Sequence, residues 1–324
     1  MQKFAFKNTE SVAHAVSLLK SGNAAVLAGG TDILNLLKTE AFGRSPELLV
    51  NIKNIPGLDT ISEDSGGLKI GALARVSAIA SSEFIKAEYP ALAEAAGSIA
   101  APAIRNMATI AGNLCQDVQC WYFRRSFLTG NTFDCMRKGG KQCYAVSGDN
   151  RYHAIIGGKG CFSVCPSDIA VVLATLDATI VTSKRSILIR DFFETLGNIL
   201  DSDEIITGIE IPVVPPGTKQ KFMKFTIRPA LDFSIVSAAV IITTNNDRVA
   251  DSRIVLGSVA PTPYRAVYVE ESLKGKIIDE STAEKAAEEA VRDAKPLSKN
   301  KYKVQITKTL VKRAILACGP SSID

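Results

Sequence analysis

Val26-Leu27-Ala28-Gly29-Gly30-Thr31-Asp32 is a short apolar run that meets two glycines and then a helix start. Glycine lets a backbone come close to another group, and the free amides of such a turn favour anions. The same residues also suit a plain tight turn, and the pattern is neither the dinucleotide fingerprint GxGxxG nor a phosphate loop. A second stretch has related chemistry: Ile104-Arg105-Asn106-Met107-Ala108-Thr109-Ile110-Ala111-Gly112-Asn113-Leu114. It brings together an arginine, small residues, a hydroxyl and two carboxamides. Two such turns could hold a diphosphate from two sides.

The pattern on either side is that of a mixed α and β protein. Strands are expected at 4–6, 24–28, 48–52, 68–73, 179–182, 186–189 and 204–211, and again at 238–243 and 249–256. Helices are expected at 33–38, 77–85 and 90–100, with two more at 281–295 and 303–317. Another, carrying Val12, Ala15, Val16 and Leu19 on one face, follows a cap at Asn8 or Thr9. From Ile169 the pattern reads as sheet again. Three prolines and a glycine between positions 212 and 219 mark a domain boundary.

The chain has 324 residues, 46% of them hydrophobic and 22% charged, with a formal net charge of +5. That length supports more than one core, and the charge is too small to imply nucleic acid. No apolar run is long enough to span a membrane. The start Met1-Gln2-Lys3-Phe4 carries no apolar signal region, so a cytoplasmic location is expected.

Six of the seven cysteines fall between positions 115 and 165, and the seventh is Cys318. Clustered thiols in a chain without a signal suggest a metal site rather than disulfides. Cys120, Cys135, Cys143 and Cys161 are separated by 14, 7 and 17 residues. Four thiolates satisfy an iron–sulfur cluster. They could also close a zinc site, although the CxxC knuckle is missing, and unrelated buried thiols are the plainest alternative. Trp121, Tyr122 and Phe123 with Arg124, Arg125, Arg137, Lys138 and Lys141 could stack and neutralise a single-stranded nucleic acid. The same cations would also offset a thiolate-ligated cluster or face an acidic carrier. His14 and His153 are expected to be structural, as is Cys318, and Cys115 is expected to pack.

The two turns, with "LKIGALARVSAIA", "PSDIAVVLATLDATI", "EIITGIEIP" and "GSVAPTPYRA" in the same order, resemble the FAD-binding subunits of the xanthine dehydrogenase and carbon monoxide dehydrogenase group of molybdenum hydroxylases. The resemblance covers nearly the whole chain. It implies an α+β fold: a two-lobed FAD-binding domain of the vanillyl-alcohol-oxidase/CO-dehydrogenase flavoprotein type at 1–212, with lobes at about 1–58 and 59–212, and a smaller C-terminal α/β sandwich domain at 218–324. It also implies a set of FAD contacts. On one side these are Leu27, Ala28, Gly29, Gly30, Thr31, Asp32 and Ile33. On the other they are Arg105, Asn106, Ala108, Thr109, Ala111, Gly112 and Asn113. Ser167 and Asp168 join them, and Ile206 and Lys224 are expected on the isoalloxazine side. Arg228 and Asp232 match a charged turn of the family, as a cofactor-edge or a surface pair. Ala111 stands where relatives carry the first glycine of Thr-Ile-Gly-Gly-Asn. It is tolerable if φ is negative and would crowd the diphosphate if φ is positive.

Simple members of this family join the second turn to "SPxxD" within a few residues, whereas 51 residues separate Leu114 from Pro166 in this chain. The insertion, about 116–162, resembles the 4Fe–4S insertion of 4-hydroxybenzoyl-CoA reductase and of some bacterial aldehyde oxidoreductase FAD subunits. The resemblance implies cluster ligands Cys120, Cys135, Cys143 and Cys161, with Cys165 as the alternative fourth. The reductase form has its fourth cysteine just before His-Ala, where this chain has Tyr152-His153-Ala154. The expected role is that of an electron-transfer subunit without substrate chemistry of its own. Its implied partners are a large subunit with the molybdopterin cofactor, a small subunit with two 2Fe–2S clusters, and an external carrier (ferredoxin, NAD or a quinone). Electrons would run outward in a hydroxylase or aldehyde dehydrogenase, and inward from ferredoxin in the reductase type. A twin-arginine signal on a partner could export the folded complex. A zinc-stapled binding module without flavin is the reading from another class.

Overall fold

The computed structural model describes residues 2–41, 45–124, 133–229 and 231–319. Arg125 and the remainder of 125–132 lie outside the described residues.

The first lobe is a parallel sheet of β1 (Ala5–Asn8), β2 (Ala24–Leu27) and β3 (Leu48–Asn51), in the order β1-β3-β2. The helix Val12–Lys20 makes the first crossover. Its cap is Ser11, whose hydroxyl accepts from the His14 amide, rather than the expected Asn8 or Thr9. Thr9 is buried instead, donating its hydroxyl to the Asn51 carbonyl.

The second lobe is an antiparallel sheet of five strands. They are β4 (Ile61–Asp64) and β5 (Gly67–Gly71), then β6 (Thr179–Thr182) and β7 (Ser186–Leu188), and, after a short hairpin of β8 (Phe193–Glu194) and β9 (Gly197–Asn198), β10 (Ile206–Pro212). Their order is β4-β5-β10-β6-β7, so the return strand β10 fills the middle. The expected helix at 77–85 divides into Val76–Ser81 and Glu83–Glu88, because Ser82 turns extended and caps the second piece by accepting from the Ile85 amide. The sheet pattern read from Ile169 is overturned: Asp168–Thr175 is a helix, capped by Ser167, whose hydroxyl accepts from the Ala170 amide. Seven of its eight residues are buried, and a segment covered on nearly all sides shows no periodicity by which to tell helix from strand.

The last domain is an antiparallel sheet of β11 (Thr218–Phe225), β12 (Val236–Asn245), β13 (Arg248–Gly257) and β14 (Tyr264–Arg265). One face packs on the helices Glu280–Glu289 and Tyr302–Ala317, and Cys318 is buried in that core. The other face, with Phe222, Ala239, Ile241 and Val255, joins the core of the second lobe. Among the described residues no helix is long and apolar enough to cross a membrane.

The end of the insertion is fastened to this last domain. Ile155 and Ile156 enter its core, and their amides both donate to the Val259 carbonyl. Asn300 donates to the carbonyls of His153 and Ala154. Lys303, fully buried, donates to the carbonyls of His153 and Ser258. Burial brings the Lys303 ammonium down to about 7.

Glu204 ties the sheet edge together. Its carboxylate accepts from the Thr182 hydroxyl at 2.6 Å, from Arg185 at 3.0 and 3.1 Å, and from the Asp201 amide at 3.1 Å. Burial alone would raise its pKa. The Arg185 guanidinium and the two neutral donors outweigh that and hold it down to about 2. The stabilisation is therefore complete above its ordinary value of 4.5 and is lost as the pH falls towards 2. Glu204→Gln should lower stability at pH 7 by about 2 kcal/mol, since Arg185 is half-exposed and the pair is partly screened. Thermal melts should show the gap between the two proteins closing between pH 4.5 and 2.

Gly29 sits where a side chain would collide with the second turn. A Cβ on it would lie 2.2 Å from the Met107 carbonyl oxygen. Gly29→Ala must push the two turns apart and should cost about 1–3 kcal/mol. Gly97→Ala, in a helix with open space beside it, should be neutral or stabilising by up to about 1 kcal/mol. Chemical denaturation of the two variants compares them directly.

Candidate functional site: a cleft through two glycine turns and a chamber of four cysteines

The first turn leaves β2 at Leu27 and enters the helix Ile33–Thr39. Gly30 has φ +77°, which a side chain would oppose. The second turn follows the short helix Pro102–Arg105 and enters the helix Ile110–Leu114, where the Thr109 hydroxyl accepts from the Gly112 amide at 3.2 Å. Backbone bonds fix this turn to the segment that follows β5: Val76 N to Ala108 O at 3.0 Å, and Ile110 N to Ala74 O at 3.0 Å. Ala111 lies inside that helix and is not among the residues of positive φ. Its methyl group is therefore accommodated without backbone strain.

A cavity of about 380 Å³ opens on one side of the paired turns. Ala28, Gly29, Gly30, Thr31, Asp32, Ile33, Thr109, Ala111 and Gly112 line it, with Ile206 beyond them. Cys115, expected to pack, is exposed and faces this cavity. A smaller cavity of about 90 Å³ shares Thr31, Asp32, Gly112 and Gln116 with the first. Its walls include Ala108, Asn113, Asp168 and Lys224. The turns thus form the waist of one elongated cleft. Ile206 lines the larger cavity and Lys224 the smaller one.

Three expected residues stand behind the walls. Leu27 is buried beneath Gly30. The Arg105 guanidinium folds back onto the carbonyls of Ile99 and Ala100. Ser167 donates its hydroxyl to Asn113 at 2.6 Å, so it orients the carboxamide. Asn106 is exposed. Asp168 and Lys224 form a buried ion pair at 3.0 Å, and both groups are further satisfied: Asp168 accepts from the Ser234 hydroxyl at 2.6 Å, and Lys224 donates to the Ser98 carbonyl at 3.0 Å. A buried pair with its remaining bonds made holds a fixed geometry. The sequence reading missed Gln116, Asn198, Leu200 and Phe233, which carry no motif and reach the cleft only through the fold.

The four expected cysteines converge. Cys120, Cys135, Cys143 and Cys161 line one small chamber roofed by Tyr122, Phe123, Met136 and Tyr144. Among the described residues no three His, Cys, Asp or Glu side chains are close enough to hold a single metal ion. A hydrogen bond from the Cys143 thiol, opposed by burial and aided by Ser163 and Arg137, draws the Cys161 thiol below its ordinary range. His153 is buried, with Nε2 3.3 Å from Cys120 Sγ, and burial depresses it to about 4. Cys165 is elsewhere, in the core of the second lobe, where burial pushes its thiol up to about 12.

Among the described cations of the insertion, Arg124 and Arg137 turn inward, and Lys141 is exposed. The Arg137 side chain is 6% exposed; it donates to Ser163 and to the carbonyls of Thr195 and Leu196. Lys138 lies over the Phe123 ring at 5.8 Å. Arg124 donates to the carbonyls of Val118 and Asp117 and pairs with Asp32 at 2.6 Å. The other oxygen of Asp32 accepts from the Asp117 amide at 2.9 Å. The first glycine turn and the cysteine chamber are therefore joined by one ion pair. Arg228 and Asp232 form a bidentate pair at the rim of the cleft, with Arg228 70% exposed.

Residues 2–214 match the family described as the FAD binding domain in molybdopterin dehydrogenase, and residues 221–318 match the CO dehydrogenase flavoprotein C-terminal domain. The chain is 32% identical to the aldehyde oxidoreductase FAD-binding subunit PaoB of Escherichia coli (strain K12), over 95% of its own length and 96% of that protein. It is 26% identical to the glyceraldehyde dehydrogenase medium chain of Sulfolobus acidocaldarius, over 96% and 97% of the two chains. Its fold matches a chain of the carbon monoxide dehydrogenase of Hydrogenophaga pseudoflava, solved in a form lacking the Mo-pyranopterin moiety of the molybdenum cofactor. That match has a TM-score of 0.77 and 26% identity and covers 98% and 97% of the two chains. With the glycine-turn cleft, these matches show that the chain belongs to the family of FAD-binding subunits of molybdopterin-dependent dehydrogenases.

Proposed function

We propose that this chain is an electron-transferring flavo-iron–sulfur subunit of a molybdenum-containing aldehyde or related dehydrogenase, holding FAD in the cleft and a 4Fe–4S cluster in the chamber. The observation that carries the reading is the convergence of Cys120, Cys135, Cys143 and Cys161 on one chamber, tied through Arg124–Asp32 to the first glycine turn.

The residues present suit FAD. The close contact of the turns at Gly29 and the positive φ of Gly30 present backbone to a diphosphate. The cavity beyond Ile206 takes one end of an elongated cofactor, and the Asp168–Lys224 side takes the other. Asn113, oriented by Ser167, and Lys224, oriented by Asp168 and Ser98, offer donors at fixed positions. Bound FAD would accept electrons in pairs and release them singly, and the protein's part is to position and tune it.

The chamber is small, about 10 Å³, and its four thiols match the ligand count of a cluster. Tyr122, Phe123 and Tyr144 line the chamber, and the buried Arg137 offsets thiolate charge. Burial and hydrogen bonds to sulfur would set the potential. The fourth position is Cys161, as in the aldehyde oxidoreductase pattern, which favours electron flow outward from molybdenum. The relatives' names, "FAD-binding subunit" and "medium chain", support one subunit among several. The partners we infer are a molybdopterin large subunit, a small 2Fe–2S subunit and an external carrier.

Anaerobic purification followed by iron, sulfide, zinc and flavin analysis tests the reading. About four iron and four sulfide per FAD are expected, with iron lost in Cys161→Ser and retained in Cys165→Ser. Stoichiometric zinc without sulfide would overturn the cluster. Absence of flavin would restore the zinc-stapled binding module.

A further inference from the structure

A third cavity, of about 450 Å³, opens between the insertion and the turn at residues 227–235. It is larger than either part of the glycine-turn cleft. Trp121, Tyr152 and Phe233 flank it, and the rings of Trp121 and Tyr152 meet edge-on at 5.6 Å. Val164 and Ile235 add apolar wall, and Gln119, His153, Ser163, Ser234 and the Arg228–Asp232 pair supply polar groups. A space of this size with flat aromatic walls and polar groups between them suits a ligand of one or two rings. Phosphate does not suit it, because the Asp232 carboxylate on its wall repels an anion and offsets the charge of Arg228.

The cavity's neighbours indicate which ring. It shares Asp232 and Phe233 with the Lys224 end of the cleft, and Cys120 and Ser163 with the cysteine chamber. A molecule in it touches walls of both. We propose that this cavity is a binding site for a planar ring of the quinone class, stacked among the three aromatic side chains with its oxygens towards the amide and guanidinium donors of Gln119 and Arg228. Naming the ring as a quinone rests on the electron-transfer reading above, whereas the affinity of the cavity for flat rings does not.

Trp121 is the chain's only tryptophan, so its fluorescence reports on this cavity in the purified full chain. Titration with menadione should quench it along a saturating curve. Tyr152→Ala and Ile227→Ala, both at the exposed rim, should weaken binding about tenfold and about threefold with flavin and iron content unchanged. Val164→Phe, which fills the cavity, should abolish the saturable component. Linear quenching that is the same in all four proteins would overturn the proposal, as would saturable quenching that Tyr152→Ala and Ile227→Ala leave unaltered. Saturable, variant-sensitive binding in protein devoid of flavin and iron would keep the ring site and remove its quinone assignment. Protein with full flavin and iron but no saturable binding would do the reverse, refuting the site and sparing the electron-transfer reading.

Discussion

The arrangement depends on how closely two backbones approach at Gly29. The Met107 carbonyl occupies the space a side chain would need, so the two turns meet without any side chain between them. Arg75 adds to the clamp by donating to the same carbonyl at 2.5 Å. Because the first turn leaves β2 and the second is bonded to the segment that follows β5, their contact fixes the first lobe against the second and creates the waist of the cleft between them. Gly29 and Gly30 therefore do different work. The first permits close packing, and the second permits a left-handed backbone.

From this waist the constraint passes outward through Asp32. Its two oxygens bind Arg124 and the Asp117 amide, and Arg124 also donates to the Val118 and Asp117 carbonyls. A shift of the first turn would therefore pull on the wall of the cysteine chamber. On its far side the insertion is held by Asn300 and Lys303, which take the carbonyls of His153 and Ala154. The insertion is not an appendage but a bridge between the cofactor cleft and the last domain. Lys303 spends its protons on the carbonyls of His153 and Ser258, which offsets part of the cost of burying it.

Much of this was legible in the sequence because the responsible features are local. Apolar runs marked β12 and β13, and the four cysteines stood out by clustering. Failures came where context overrides pattern. Asp168–Thr175 is buried almost all round, so its sequence lacks a helical stripe. β4 is an edge strand whose Ser62, Glu63 and Asp64 are exposed, so it lacks the apolar alternation of a half-buried strand. Arg105, Arg124 and Arg137 read as exposed or ligand-seeking cations, but each spends its donors on carbonyls brought near by folding. The bridge from Asn300 to His153 spans about half the chain and has no sequence signature. The third cavity has none either, since its walls come from four separated stretches.

The central claim is that the insertion wraps a metal cluster beside the flavin turn. Anomalous scattering from crystals of the anaerobically purified protein, measured on both sides of the iron edge, tests it most directly. The account predicts a compact group of four iron peaks enclosed by Cys120, Cys135, Cys143 and Cys161. A single zinc-edge peak there, or iron bound to other residues with the chamber closed, would contradict it.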